Sequence, residues 1–254
     1  MNLNGSKFTV VIPLIPQHDF EIKRILKLLA YEQNLIKRVI ICRSETKDSG
    51  RAARNRYKKY AESVGFLKEI YVDCVKNVAR DGTNRNRGWL SADTEFVAFL
   101  DADDLYSKNR LSVILESFRN YKADAIVHNY NSIGGVSSDF EFLGATKSDN
   151  PKVAIGKKSD SNDYLADVNG NELKVHFAHI TVRNEIKEKL MFTDMFPGAD
   201  WEFATSLVKL GYEMRYIDAE LSSWNRKRSA RYLFRVYKMR LFAKLKNLMK
   251  VKSQ

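Results

Sequence analysis

Three carboxylates crowd together in Phe99-Leu100-Asp101-Ala102-Asp103-Asp104, directly behind a run, Phe96 to Leu100, that holds no polar residue. Acids this close repel one another unless a cation sits among them. Oxygen ligands of this kind suit Mg²⁺ or Mn²⁺, which can bridge to a diphosphate. In an open α/β sheet, ligands bind beyond the carboxyl ends of the strands, which is where these acids fall. The plainer alternative is an acidic turn whose last member caps the next helix. A second candidate is Asp200, at the start of an expected helix, where capping and the helix dipole favour a carboxylate without any catalysis. The four histidines offer no ligand set, since His176 and His179, three apart on an expected strand, point to opposite faces.

These residues need a frame to hold them. Phe8–Leu14, Arg38–Ile41, Leu67–Val72, Phe96–Leu100 and Ala125–Val127 are short apolar runs that predict buried strands. Helical spacing fills the gaps between them. Ile22, Ile25, Leu26 and Leu29 follow a possible Asp19 cap; a basic segment runs from Arg51 to Val64; another lies at Gly82–Ser91. Leu111, Ile114, Leu115 and Phe118 follow Ser107 as a possible cap. Alternating strands and helices predict an α/β fold with a mostly parallel, doubly wound sheet. From Asn131 to Asp167 the chain turns rich in Gly, Ser, Asn and Asp, too long for an ordinary connection. Asn169-Gly170 predicts a hairpin between Tyr164–Val168 and Glu172–Phe177. A helix over Asp200–Leu210 ends at Gly211, and Met214–Ile217 gives a last strand.

Length and charge narrow the partners. The 254 residues are enough for one large domain and its core. Cys42 and Cys74 lie in apolar runs and are expected as reduced, buried thiols, which leaves no disulfide scaffold and no four-ligand zinc site. The net charge of +12 is concentrated at one end: residues 226–254 hold eleven basic residues and no acid, which leaves the first 225 near neutral. A basic protein ordinarily suggests nucleic acid, but a near-neutral body without an aromatic RNP-type motif argues against that partner. Within the tail, Leu233, Tyr237, Leu241, Leu245 and Leu248 fall in one helical line with Arg235, Lys246 and Lys250 opposite. That is the pattern of a helix lying on an anionic membrane, with packing on the body as the alternative. No apolar run approaches the roughly 18 residues of a membrane span, and Met1–Lys7 lack a secretory stretch, so a cytoplasmic protein, peripheral at a membrane through its tail, is expected.

Four segments in order carry a resemblance. Gly82-Thr83-Asn84-Arg85-Asn86-Arg87-Gly88, then Thr94 to Asp104, is similar to the core of family 2 glycosyltransferases, which reads G-x-x-x-A-R-N-x-G, a helix, an apolar strand and D-x-D-D. The opening strand with Pro13 resembles the family's V-S-V-I-I-P start. Gly198-Ala199-Asp200-Trp201-Glu202-Phe203 with Leu210-Gly211-Tyr212 is similar to its G-E-D-W-x-F segment and helix. The likeness spans roughly residues 7 to 226.

It implies a GT-A (Rossmann-like) domain over 1–225, with a nucleotide-sugar-binding half at 1–130, an acceptor half at 131–225, and the tail beyond. It implies transfer of a sugar from a nucleoside diphosphate, a UDP-sugar being favoured, to a hydroxyl of a glycan or lipid-linked acceptor, with inversion and a divalent cation. Donor binding falls to Pro13, Asp73, Arg85, Asp101, Ala102 and Asp103. Asp103, with Asp101, is the expected metal ligand, and Asp104 supports the metal through water or caps the following helix. Asp200 is the expected general base, and Trp201, Glu202 and His179 lie on the acceptor side. Three departures stand out. Ala199 replaces the family's glutamate before the base. Cys42 to Asp48 lacks the aspartates that usually contact the nucleobase, leaving Asp73 to reach it and Arg43 to alter base preference. No histidine follows Trp224 to join the metal.

A dinucleotide-dependent oxidoreductase is not expected, because Pro13-Leu14-Ile15-Pro16 follows the first strand where G-x-G-x-x-G would stand. A nucleic-acid binder acting through the tail and a catalytically degenerate GT-A scaffold remain the alternatives.

Overall fold

The computed structural model describes residues 7–45, 50–133, 151–157, 163–167, 172–173, 179–194 and 199–225. The tail, Asp48, most of the segment after Asn131, Asn169-Gly170, His176 and Gly198 lie outside them.

Strand β1 (Phe8–Leu14) is buried along its whole length, which its unbroken apolar sequence requires of a strand covered on both faces. It pairs in parallel with β2 (Ile36–Arg43) on one side and β4 (Phe96–Phe99) on the other. β3 (Glu69–Cys74) extends the sheet beyond β2, again in parallel. On the far side β6 (Ala125–Ile133) and β10 (Met214–Asn225) run parallel to each other, and the short β5 (Leu105–Tyr106) closes the edge antiparallel to β10. With β9 at Ile180–Arg183, the sheet order is β3-β2-β1-β4-β9-β6-β10-β5.

The sheet is mostly parallel, as the alternation of strands and helices predicts, and β9 is an antiparallel exception. It enters between β4 and β6, antiparallel to both. The segment that carries His179 therefore reaches the centre of the sheet, where strand signals read one at a time place no partner. β6 and β10 also run past their expected ends, and β10 does so through two register shifts around Glu220. β7 (Ala154–Lys157) and β8 (Asp163–Ala166) form a separate antiparallel pair. Ala166 bridges Glu172, and Leu173 donates to the Leu165 carbonyl at 2.8 Å, so the flanks of Asn169-Gly170 pair as a hairpin would.

Two apolar layers cover the sheet. α1 (Glu21–Ala30), α2 (Arg51–Val64) and α4 (Arg110–Asn120) pack on the face of Phe8, Val10, Ile12 and Leu14. α1 alone buries Ile22, Ile25, Leu26, Leu28 and Leu29, each worth about 1.5–3 kcal/mol. α3 (Asp81–Leu90) and α5 (Ala199–Lys209) cover the face of Val11 and Phe99. There the Trp89 ring meets Phe99, Phe192 and Phe203 edge-on at 5.5–6.1 Å. α3 lies close because Gly88 has no side chain: a Cβ there would come within 2.4 Å of Val11 Cγ1.

Neither expected cap is used. Asp19 stands two residues before α1 and gives its carboxylate to other elements. Ser107 precedes α4 by three residues, and the α4 amides of Leu111 and Ser112 are instead held by Glu32 at 2.8 and 2.7 Å. Both cysteines are free, Cys42 buried and Cys74 only half-buried. Among the described residues no helix is long and apolar enough to cross a membrane.

Candidate active site

The carboxyl ends of β1, β2, β3 and β4 open on the same side, and the acids at the end of β4 are gripped from three elements. Tyr106 Oη donates to the Asp101 carbonyl at 2.9 Å. Arg24, on α1, donates to the carbonyls of Ala102 and Asp104 at 3.3 and 3.1 Å while pairing with Glu21. Arg85, on α3, is 1% exposed and ion-pairs with Asp101 Oδ1. With its turn fixed this way, Asp103 projects into solvent.

Burial alone would weaken the charge on Arg85. Asp101, Asp81 and Asp200 reverse that and hold the guanidinium above its ordinary value. Arg85 thus pairs with the acid of the turn after β4 and feels the charge of the acids at the starts of α3 and α5. Asp81 is the member that sequence reading missed. Packing around it pushes its carboxyl up, as do the charges of Asp101 and Asp103, against the pull of Arg85 and His18. It stands as the first residue of α3, where it reads only as an acid favoured by the helix dipole.

Asp104 does not join the open acids. It is 1% exposed, with Oδ2 3.9 Å from His179 Nε2, and so points away from the solvent that Asp103 meets. The reason lies behind the turn, where β6 and β9 bring a polar layer under α4. His179 is fully buried, its ring 5.0 Å from His128 and 4.8 Å from Tyr130. It packs inside the sheet rather than lining an open acceptor face. Arg110 donates from Nε to His128 Nε2 at 2.9 Å. That nitrogen must be the acceptor, so His128 carries its proton on Nδ1, 2.9 Å from the Asn129 carbonyl. Burial first, then Arg110, holds His128 neutral far below the ordinary histidine value, and burial pulls Arg110 down to about 10.

The remaining expected residues fall as follows. Pro13 is buried in β1 opposite Cys42. Asp73, at the end of β3, takes Arg87 Nε at 2.8 Å and Nη2 at 2.6 Å on one oxygen, Oδ2. Arg43 is not turned toward a base. It grips Asp19 with two nitrogens, Nε to Oδ1 at 2.9 Å and Nη2 to Oδ2 at 3.0 Å, while Tyr57 and Arg56 complete the carboxylate at 2.6 and 3.1 Å. Burial works against the Asp19 charge, but these partners win and hold its carboxyl below the usual range. On α5, Asp200 is half-buried and Oδ1 accepts the Trp201 amide at 2.7 Å. Trp201 packs against the second apolar layer, and Glu202 is held by the Thr193 hydroxyl.

No three His, Cys, Asp or Glu among the described residues converge as a ready-made cation cage. Asp101 and Asp103 supply hard oxygen donors suited to Mg²⁺ or Mn²⁺. The other ligands of such an ion would come from a phosphate and water.

The family signature "Glycosyl transferase family 2" matches residues 10–163. The chain belongs to glycosyl transferase family 2. Its matched residues run from β1 into β8 and contain Arg85, Asp101 and Asp103. Among curated proteins none matches the sequence. Solved structures agree in fold. The crystal structure of S. aureus TarS 1-349 superposes with a TM-score of 0.63 at 16% identity, covering 86% of this chain and 60% of that one. TarS 1-349 in complex with UDP-GlcNAc gives 0.60 at 15% identity over 88% of this chain and 59% of that one. The UDP complex gives 0.59 at 16% over 86% and 60%. The family 2 chain described here thus spans less than two thirds of those relatives and shares their GT-A-like α/β architecture.

Proposed function

We propose that this family 2 chain transfers a sugar from a nucleoside-diphosphate sugar, with a UDP-sugar as donor, to a hydroxyl of a glycan or lipid-linked acceptor. The observation that carries this reading is Arg85, a buried cation paired to Asp101 and acted on by both Asp81 and Asp200. Its charge acts on both the acids that would face a diphosphate and the acid that would take a proton. The UDP and UDP-GlcNAc complexes of TarS, on the same fold, support the choice of donor.

In the proposed reaction Asp200 accepts the acceptor hydroxyl's proton as that oxygen attacks the anomeric carbon. The bond from that carbon to the diphosphate oxygen breaks on the opposite side, so configuration inverts and the nucleoside diphosphate leaves. Pro13 and Asp73 would flank the nucleoside, Arg87 holding only one of the Asp73 oxygens. Asp101, Ala102 and Asp103 line the diphosphate, and Arg85 orients Asp101. Asp101 and Asp103 would hold a divalent cation, which neutralises charge on the leaving diphosphate. Residues 1–130 form the donor half and 131–225 the acceptor half, with Trp201 and Glu202 at its entrance. The tail, 226–254, holds the enzyme on an anionic membrane where a lipid-linked acceptor would lie.

Hydrolysis of a panel of nucleotide sugars, with and without Mn²⁺, tests the donor class: turnover of a UDP-sugar is expected, and none with any donor overturns it. Asp200→Asn preserves shape and the amide contact, so turnover should fall ~10²–10⁴-fold with melting temperature unchanged. A variant that melts earlier but turns over normally would leave Asp200 as a cap alone. The full chain should sediment with anionic but not neutral vesicles, and more strongly than a chain ending at Asn225.

A further inference from the structure

The segment Phe192–Asp194 lies between the two helices that carry Arg85 and Asp200, and both hold it. From α3, Asn86 takes the Phe192 backbone from both sides: Nδ2 donates to the carbonyl at 2.7 Å, and Oδ1 accepts the amide at 2.9 Å. The next residue packs where a side chain on α3 would be, since a Cβ on Gly82 would come within 2.2 Å of the Thr193 carbonyl oxygen. Asp194 then receives the first turn of α3, from the Thr83 amide at 3.0 Å and the Thr83 hydroxyl at 2.6 Å. Arg80 donates to the Asp194 carbonyl. On the other side, the Phe192 ring stacks on Phe203 of α5 with centroids 3.9 Å apart, and the Thr193 hydroxyl bonds Glu202 of α5. The same Phe192 ring lies 5.7 Å from the Arg85 guanidinium.

A carboxylate at a helix N-terminus is ordinarily a cap, and one supplied from within the first turn would do as well. Here the cap comes from 111 residues away, on the segment that leads within six residues to Asp200. We infer that Phe192–Asp194 is a strap that fixes the start of α5, and Asp200 with it, against the Arg85 helix, with Asp194 and Asn86 as positioning residues. The part played by Asp200 rests on the reading proposed above; the strap itself rests on these contacts. A displacement of about 1 Å at a reacting group can cost 10²-fold in rate, so a loosened strap acts on turnover before it acts on donor affinity.

The test uses the full chain with UDP and UDP-GlcNAc as probes. In Asp194→Ala, kcat for Mn²⁺-dependent UDP-GlcNAc hydrolysis should fall ~10–10²-fold. Its acid limb should shift, the UDP Kd should stay within about twofold, and amide exchange over Trp201–Ala204 should quicken. Asp194→Asn keeps an acceptor for the Thr83 amide and should restore most of the loss. Thr83→Val, a milder lesion, should give a smaller change in the same direction if the alanine variant does not fold. A lower melting temperature with kcat, acid limb and exchange unchanged would make Asp194 a simple cap and overturn the inference, as would parallel losses of UDP affinity and kcat. If Asp200→Asn turns over normally while Asp194→Ala is slowed and exchanges faster, the base assignment falls and the strap stands.

Discussion

Two Arg–Asp pairs sit at the carboxyl ends of neighbouring parts of the sheet, and they are built to opposite ends. Asp19, beside β2, has each oxygen taken twice, by Arg43, Arg56 and Tyr57. A carboxylate offers about four lone-pair sites, so Asp19 has nothing left for a ligand. Asp101, after β4, takes Arg85 on one oxygen, and its neighbour Asp103 stands in solvent. The first pair, with Arg56 and Tyr57, ties β2 and α2 to the loop before α1. The second fixes an acid while leaving it accessible. An ion pair therefore marks a site by the coordination it leaves over, and the presence of the pair is no guide.

The contrast can be broken by substitution, beginning with the largest effect. Asp19→Ala strands Arg43 in a mostly buried setting and should cost about 3–5 kcal/mol in urea unfolding. UDP affinity of the folded protein should not change; a tenfold loss would mean that the Asp19 cluster belongs to the site. Asp103→Ala should do the reverse. Calorimetry should show Mn²⁺-dependent UDP binding weakened at least tenfold, about 1.4 kcal/mol, with stability within about 0.5 kcal/mol. Equal UDP affinity with and without metal in both proteins would remove Asp103 from the donor site.

A third arginine sharpens the same comparison by having no carboxylate as its Nε partner. Arg110 leans on neutral His128. Folded His128 resists protonation while the unfolded chain takes a proton near 6.5, so the unfolded state binds more protons and stability falls with pH. Between pH 6.5 and 5.5 this histidine should remove about 1 kcal/mol. His128→Asn keeps an acceptor for Arg110 and should flatten that part of the pH–stability curve. An unchanged slope would show that His128 titrates normally.

What was legible in the sequence was what neighbours in the chain encode. Phe8–Leu14 reads as a buried strand because both its faces are covered, and α5 ends at Lys209 with Gly211 in the left-handed turn just past it, as the sequence predicts. The acids after β4 stood out because three of them follow one apolar run. What was not legible depends on partners far away in sequence. Asp104 turns inward because β9 delivers His179 beneath it, and nothing within 70 residues announces that. Asp19 looked like a cap until Arg43, Arg56 and Tyr57 claimed it. Asp81 looked like helix dressing, and its place among Asp101 and Asp103 appears only once α3 is laid on the sheet. Gly82 and Gly88 were read as motif letters; each is there because another segment occupies the space of a side chain.

The unequal borders of the sheet bear on how this chain behaves in company. β5 contributes two residues to one border, too short a ladder for another strand to extend. At the opposite border β3 offers six, paired among the described residues only to β2. Tyr71 faces outward there, and Leu67 is 84% exposed just ahead of the strand. Lys68, Glu69 and Asp73 interrupt that stretch with charge, as gatekeepers do on strands exposed to self-association. Neutralising Glu69 and Lys68 together would leave an apolar template at the β3 border, and clumping on heating would begin there.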